Sequence, residues 1–294
     1  MRYYLTSDTL FIRGSFRASS TSLSGSVRSV STILNHTVSH GWSPEDSSKE
    51  VEFTAAGEGI GRDYLGVLTE IPIHDLCVFQ YDFVTVFITA GIRRSSSPPA
   101  RTITIIVTSS EGLEDAALLE TIHVATEAKS EVLPHDSPAA GGTPPDIVIA
   151  ACEGAIKHGS AGRGTEPGRR VRDAVLFGVP KALERHEKAA RDSQHSFFIF
   201  SRFKGEHWVE WSPATCPYFP CHFPGQSCDF CYCPFYPCAD ESLGQWVESS
   251  SGGRIWNCAG CTLLHDPEIA AYFKKFPAAS RQELVRKRKT KIPQ

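Results

Sequence analysis

Eight of the ten cysteines in this 294-residue chain fall between Cys216 and Cys261, and no other feature restricts the fold so tightly. Their order is Cys216-x4-Cys221-x6-Cys228-x2-Cys231-x-Cys233-x4-Cys238, followed after a gap by Cys258-x2-Cys261. Two Cys-x2-Cys knuckles a zinc-ribbon's span apart suit a tetrahedral thiolate site, and eight thiolates fill two closed four-ligand sites. The segment Cys216-Pro-Tyr-Phe-Pro-Cys221 and its echo Cys233-Pro-Phe-Tyr-Pro-Cys238 set prolines and aromatic rings inside tight ligand loops. In so short a segment, bound metal replaces a core too small to stand alone. The expected cofactor is therefore structural zinc, two ions shared among Cys216, Cys221, Cys228, Cys231, Cys233, Cys238, Cys258 and Cys261. An iron–sulfur cluster is the second reading and a catalytic or metal-delivery site the third. His207, His222 and His265 are candidates to replace a thiolate. Closed all-cysteine sites leave no position open for water, which argues against hydrolysis at this metal.

An even cysteine count also suits a disulfide scaffold, so the compartment matters. The N-terminal residues Met-Arg-Tyr-Tyr-Leu-Thr-Ser-Asp lack an apolar signal core, and no apolar run reaches the roughly 18–20 residues of a membrane span. A cytoplasmic protein is expected, with no membrane partner and with reduced thiols that favour metal over disulfides. Hydrophobic content of 41% and charged content of 21% are those of an ordinary globular chain. From His195 to Asp266 three basic residues face seven acidic ones. A module that neutralises phosphates carries the opposite balance, so nucleic acid is not the expected partner. Nothing in the sequence sets an oligomeric state.

Upstream, β-branched apolar runs at Thr9–Arg13, Val30–Val38, Gly66–Thr69, Val84–Thr89, Thr102–Val107 and Asp146–Ala151 predict strands. Ala117, Thr121, Val124 and Ala128 recur at helical spacing and predict a helix over Asp115–Leu133, ended by Pro134. Thr165 reads as the N-cap of a second helix reaching about His186, with Pro167 in its first turn. The expected fold class is α/β or α+β, a mixed sheet with covering helices, followed by the small metal-stapled cysteine-rich domain. Ser95–Ala100 and Pro134–Pro145 read as surface loops. Composition shifts near Gln194, which predicts domains at 1–193 and 194–275 and a basic tail at 276–294.

Four patches of the larger domain can carry chemistry. Asn35 and His36 end a predicted strand, and Thr89-Ala90-Gly91 ends another, where a glycine lets a ligand approach the backbone. Ala125-Thr126-Glu127-Ala128-Lys129 lies on the long helix, with His123 and Glu127 four residues apart on one face. Gly159-Ser-Ala-Gly162-Arg-Gly164-Thr165-Glu166 is a glycine-rich turn feeding a helix N-terminus, whose N–H groups can receive an anion. Each also has a structural reading: satisfied turn backbone, a solvated helix face, or an ordinary cap. The turn lacks the G-x-x-x-x-G-K-[ST] pattern of a nucleotide P-loop.

Together and in this order the patches resemble the adenosylcobinamide amidohydrolases of archaeal cobalamin salvage. The resemblance spans about Thr9 to Arg185. It rests on Ile33-Leu34-Asn35 with Val38, Thr54-Ala55-Ala56, Thr89-Ala90-Gly91, the Thr126-Glu127-Ala128-Lys129 helix placed after Thr102–Val107, and Gly159-x-x-Gly162 with Thr165-Glu166-x-Gly168. A cysteine-rich small domain is found fused to such enzymes. Ile92-Arg93-Arg94-Ser95 departs from the family's usual residues after Thr-Ala-Gly. The resemblance implies hydrolysis of the amide joining aminopropanol to the corrin ring, giving adenosylcobyric acid, with the corrinoid as substrate. No G-x-S-x-G or H-E-x-x-H motif supports a serine hydrolase or a zincin. Residue chemistry then makes Glu127 the expected general base with His36 as its alternative, and Lys129 or Asn35 the group polarising the carbonyl. Thr89, Gly91, Thr126, Gly162, Gly164, Thr165 and Glu166 are the expected substrate-binding residues. Phe79, Tyr81, Phe83 and Phe87 are available as apolar walls for the ring or as core. The rival from another class is a non-enzymatic corrinoid- or metal-binding protein.

Overall fold

The computed structural model describes residues 1–5, 8–22, 26–39, 47–93, 100–133, 146–188, 198–202, 208–210, 219–231, 233–235, 238–248, 254–276 and 279–290. Ser95–Pro99 and Pro134–Pro145, expected as loops, lie outside these residues, as do His207 and Cys216. The chain forms two compact units, one of Ser7–Trp211 and one of Met1–Thr6 with Ser212–Gln294.

The elements are β1 (Arg2–Leu5, in the smaller unit), β2 (Thr9–Ser20), β3 (Arg28–Thr37), α1 (Ser47–Gly57), β4 (Tyr64–Thr69), β5 (Cys77–Tyr81), β6 (Val84–Arg93) and β7 (Ala100–Ser109). After these come β8 (Gly112–Leu113), α2 (Asp115–Val132), β9 (Ile147–Cys152), β10 (Ile156–His158), α3 (Glu166–Lys188), β11 (Phe198–Arg202) and β12 (Val209–Glu210). The smaller unit continues with β13 (Gln245–Glu248), β14 (Arg254–Asn257), α4 (Pro267–Lys275) and α5 (Arg281–Lys289). All six predicted strands and both predicted helices are present. Thr165 caps α3 as its sequence suggests: its hydroxyl accepts from the Gly168 N–H at 3.2 Å. Helix α1 escaped notice because Ala55 is its one buried residue, too little to print a helical period.

The sheet of the larger unit runs β12-β11-β5-β6-β7-β9-β2-β3-β4. It is mixed: β2–β3, β2–β9, β5–β6 and β6–β7 are antiparallel, while β3–β4, β7–β9 and β5–β11 are parallel. Strand β11 lies beyond the domain boundary expected at 193/194. Its apolar Phe198-Ile-Phe200 run pairs with β5 in the main sheet, so the composition shift does not coincide with the structural one.

Side chains alternate across a strand, so each strand has two faces with different neighbours. On one face Val86, Ile88, Ala90, Ile103, Ile105 and Val107 pack under Val124, Ala125 and Ala128 of α2 and Val171, Val175 and Val179 of α3. Each fully buried valine or isoleucine there contributes about 1.5–3 kcal/mol. The buried pair of Lys129 on α2 and Asp146 just before β9 adds a polar tie: Nζ to Oδ2 is 2.6 Å, and Asp146 Oδ1 accepts from the Ile103 N–H at 2.9 Å. Helix α1 covers the corresponding face of β3 and β4, because a Cβ added at Gly66 would meet Val51 of α1 and Leu34 of β3.

The other face of the sheet closes on itself. Asn35 of β3 donates from Nδ2 to the Thr89 hydroxyl of β6 at 3.2 Å, although four steps separate these strands in the sheet order. Both residues alternate with neighbours that face helices, Leu34 toward α1 and Ile88 and Ala90 toward α3. The helices thus wrap the outside of a curled sheet, and the helix-free face becomes its interior. This interior is polar at one end. Thr89, Thr102 and Thr104 are buried beside Asn35, and Asn35 Oδ1, Thr102 Oγ1 and Thr104 Oγ1 have no protein hydrogen-bond partner.

In the smaller unit, β13 and β14 form an antiparallel hairpin with Trp246 opposite Trp256. Asp266 caps α4 by accepting from the Glu268 and Ile269 N–H groups, with Pro267 at the first helical position. Ile269 and Phe273 of α4 pack with Phe235, Leu263, Leu264 and Leu284. Leu284 is fully buried, so the basic segment expected as a separate tail is an integral helix of this unit, α5.

Two stability effects follow. Lys129→Met leaves the Asp146 carboxylate buried without its cation and is expected to cost about 3 kcal/mol, and the pairing Lys129→Met with Asp146→Leu to recover most of it. Thr104→Val keeps the side chain's shape and removes an unpartnered buried oxygen, so its unfolding free energy is expected to rise by about 1 kcal/mol. Urea unfolding followed by fluorescence measures both.

Candidate functional site

Strand β5 begins late. It pairs with β6 from Tyr81 opposite Val84 to Cys77 opposite Ile88, while β6 continues along β7 to Arg93. Among the described residues no strand pairs with 89–93 of β6 on the β5 side, and alternate residues turn their N–H and C=O groups toward that notch. The chain before β5 instead makes a 3-10 turn at Ile73–Asp75, which touches the ends of β3, β6 and α3. Thr37 ties this segment to β3: its hydroxyl donates to Ile71 O at 3.2 Å and accepts from the Ile73 N–H at 3.0 Å.

Into the notch comes His186 from the last turn of α3. Its Nδ1 lies 2.7 Å from Asp75 Oδ2, with the carboxylate side chain 4% exposed and the imidazole 21% exposed. Asp75 Oδ1 is buried with no hydrogen-bond partner, and His74 Nε2 is 3.9 Å from it. A side chain at Gly91 would place its first carbon 2.7 Å from both Cδ2 and Nε2 of His186 and 2.8 Å from Ile71 Cδ1. Glycine at 91 is what allows the imidazole to lie against the strand. Gly91 alternates with the outward-facing Ala90, so the ring sits at the rim of the interior that holds Asn35, Thr89, Thr102 and Thr104. Thr102 is directly opposite Gly91 in the β6–β7 ladder. The result is a buried polar cluster, the cup: three threonine hydroxyls and an amide, with the buried carboxylate and half-buried imidazole of the pair beside Gly91.

Burial favours the neutral thiol at both described cysteines of this unit, Cys77 beside the notch and Cys152 at the far end of β9. Burial pushes the Cys77 thiol up to about 12, against the opposing pull of Arg185 and Lys181. Burial likewise raises Cys152.

Of the residues singled out in the sequence, the cup brings together Asn35, Thr89 and Gly91. His36 faces the other way, with Nδ1 2.7 Å from Thr9 Oγ1 and Nε2 3.5 Å from Glu50 of α1. Glu127 stands on the outer helix layer, with Oε1 3.1 Å from His123 Nε2 and Oε2 3.8 Å from Arg163. Thr126 donates its hydroxyl to Ile122 O within α2, and Lys129 is held by Asp146. The glycine-rich turn already contains an anion of the protein's own. Glu120 Oε2 accepts from the Ser160 hydroxyl at 2.6 Å and the Ala161 N–H at 2.5 Å, and these bonds hold its carboxyl below the usual carboxylate range. Around it, Gly162 O accepts from the Thr165 hydroxyl, Gly164 O from Arg169, and Glu166 pairs with Arg170 at 2.9 Å. The aromatic residues serve packing: Phe79 meets Phe177 and Trp208 edge-on, Tyr81 meets Trp208, Phe83 stacks on His158, and Phe87 is buried.

Sequence reading missed Asp75 and His186, which are 111 residues apart and carry no local motif. Thr102 and Thr104 were visible as the alternate positions of Thr-Ile-Thr-Ile, a pattern that marks one face of a strand.

In the smaller unit, Cys231, Cys233, Cys238, Cys258 and Cys261 line one cavity of about 270 Å³ together with His222 and His265. Burial first, then the nearby Cys261, Cys258 and Cys238, push the Cys233 thiol up to about 12. Cys221 and Cys228 share the Gln226 amide, which donates to their sulfurs at 3.3 and 3.1 Å. The His265 Nδ1–H donates to Ser227 O at 2.8 Å, which leaves Nε2 as the lone-pair nitrogen; the His222 ring lies 4.4 Å away. Soft thiols and an oriented imidazole in one cavity are a donor set that fits zinc or iron. Among the described residues, no group of three or more His, Cys, Asp or Glu side chains is arranged to hold an ion, so the fit is one of donor chemistry. Among them too, no helix is long and apolar enough to cross a membrane.

Comparison with known proteins bears on both units. The sequence model of the cysteine-rich small domain matches residues 207–288. No solved structure matches the chain. A probable cobalt-factor III C(17)-methyltransferase of Methanothermobacter thermautotrophicus is 51% identical over 62 residues, 21% of this chain and 17% of that protein. An adenosylcobinamide amidohydrolase of Halobacterium salinarum is 27% identical over 180 residues, covering 54% of this chain and 77% of the relative. That of Methanosarcina mazei is 35% identical over 196 residues, 63% of this chain and 98% of the relative. The model of the same family matches residues 6–191, a span that includes the whole polar cup. The chain therefore belongs to the adenosylcobinamide amidohydrolase family.

Proposed function

We propose that this protein hydrolyses the amide joining aminopropanol to the corrin ring of adenosylcobinamide, giving adenosylcobyric acid, in corrinoid salvage for cobalamin synthesis. The observation that carries the reading is the match across 98% of the Methanosarcina amidohydrolase, within the segment that builds the cup. The partial match to a protein named as a cobalt-factor III methyltransferase supports a corrinoid setting. Amide hydrolysis needs a base for water, donors for the developing oxyanion and an acid for the leaving amine. We place these in the cup. The Thr102 and Thr104 hydroxyls have no protein partner and can donate to the oxyanion, the Asn35 Oδ1 beside them is an unpartnered acceptor, and residues 89–93 of β6 are not paired with β5. Glu127 and His36, the bases expected from residue chemistry, lie outside it: Glu127 beside His123, with Oε2 buried and lacking a hydrogen-bond partner, and His36 beside Thr9 and Glu50. Incubating the purified protein with adenosylcobinamide is expected to release free aminopropanol and a corrinoid monocarboxylate, read by mass spectrometry. Corrinoid binding without release would favour the non-enzymatic rival.

In the same reading the smaller unit holds structural zinc on its cysteines, with His265 Nε2 available where a thiolate is lacking. Bound zinc would cross-link loops whose own core is the small cluster around Phe273. Elemental analysis of the full chain is expected to find about two zinc per molecule and no iron. Stripping the metal with a chelator is expected to lower the melting temperature. Iron accompanied by visible thiolate-to-iron absorption would replace zinc with an iron–sulfur centre.

A further inference from the structure

The geometry points to Asp75 and His186 as the positioning residue and the general base of this hydrolase, a deeper reading of the cup that rests on the proposed amide hydrolysis. Three features converge on the pair. First, Asp75 is a nearly buried carboxylate with one oxygen bound to His186 Nδ1 at 2.7 Å and the other without a hydrogen-bond partner. A buried carboxylate left half-satisfied costs stability, and such sites are common where a group acts on a neighbour. Second, the Nδ1–H donates a hydrogen bond to the Asp75 carboxylate, so in the neutral ring the lone pair resides on Nε2. The other described histidines that contact a carboxylate in this unit are differently placed: His36, His74 and His123 use Nε2 for that contact, and so does His158, on Glu111 at 2.7 Å. In His186 alone among these, Nε2 is left for chemistry. Third, Nε2 is directed to the one place on β6 where glycine removes the side chain and β5 no longer covers the backbone.

The step balances without a metal or redox partner. Nε2 takes one proton from a water whose oxygen attacks the amide carbon. The carbonyl electron pair moves onto its oxygen, which the donors of the cup receive. As the tetrahedral intermediate collapses, the C–N bond breaks and the proton on Nε2 passes to the departing nitrogen. The products are a carboxylic acid on the corrinoid and free aminopropanol. Asp75 holds the ring in the required tautomer and stabilises the imidazolium formed between the two transfers. Charged and titratable groups around the pair are His74 on its own turn, Cys77 at the start of β5, and Lys181, Glu184 and Arg185 on α3.

The test uses the full chain and adenosylcobinamide. His186→Gly is expected to lower kcat by about 10²–10⁴-fold with KM little changed, and added imidazole to restore part of the lost rate. Asp75→Asn, which keeps a hydrogen bond to the ring, is expected to lower kcat with KM and melting temperature preserved; it gives the reading if the glycine variant does not fold. A His186→Gly protein that keeps its rate, or folds as wild type yet gains nothing from imidazole, overturns the assignment, as does an Asp75→Asn protein with unchanged kcat. Wild-type protein that releases no aminopropanol overturns the hydrolase reading and this one with it. The two failures are thereby distinguishable.

Discussion

The hydrogen bond from Asn35 to Thr89 joins two strands that the sheet order keeps well apart, and the larger unit is organised around the curl that makes this bond reachable. A twisted sheet with helices on a single face has a second face to dispose of, and burying it against itself is one solution. The cost is that any polar group placed there must find its partner within the same small volume. Asn35, Thr102 and Thr104 show that this requirement is not fully met by the protein. Packing alone would favour valine at such positions, so the polar end of the interior is best understood as a place shaped by chemistry.

The same curl sets helix α2 on the face of the sheet away from Asn35 and Thr89. Helix α2 holds the most specific sequence motif of the family resemblance, Thr126-Glu127-Ala128-Lys129, yet its polar residues make local or structural bonds. Lys129 joins the helix to the sheet through Asp146, and Ala125 and Ala128 let the helix sit close on β6 and β7. A motif can thus identify a family because it fixes the fold, through side chains that tie its helix to the sheet. The glycine-rich turn teaches a related lesson. Its donors have the geometry for an anion, and Glu120 is that anion.

Strand and helix positions were legible because hydrophobic alternation and helical spacing are local properties. Thr165 and Pro167 even marked the start of α3. The mixed sheet was legible too, since the order of elements limits the topologies available. Three things were not. Strand β11 joins the main sheet although its sequence neighbours resemble the cysteine-rich segment. Leu284 makes the basic segment part of a core, which charge alone conceals. The Asp75–His186 pair depends on β5 beginning only at Cys77, and the sequence contains no sign of where a strand loses its partner. Asn35, Thr89 and Gly91 could be found because polar residues or a glycine interrupt apolar runs there, although β3 continues to Thr37 and β6 to Arg93.

The position of His186 near the end of its helix has a mechanical side. Among the described residues helix α3 reaches Lys188, two residues on, and the carbonyls of a final turn have no helical partners. Such turns open at lower free energy than the strands beneath them. The bond to Asp75 therefore anchors a fraying end as well as orienting a ring. On warming, this turn would let go while the sheet still held, and the enzyme would lose its base in a molecule that by every bulk measure remained folded.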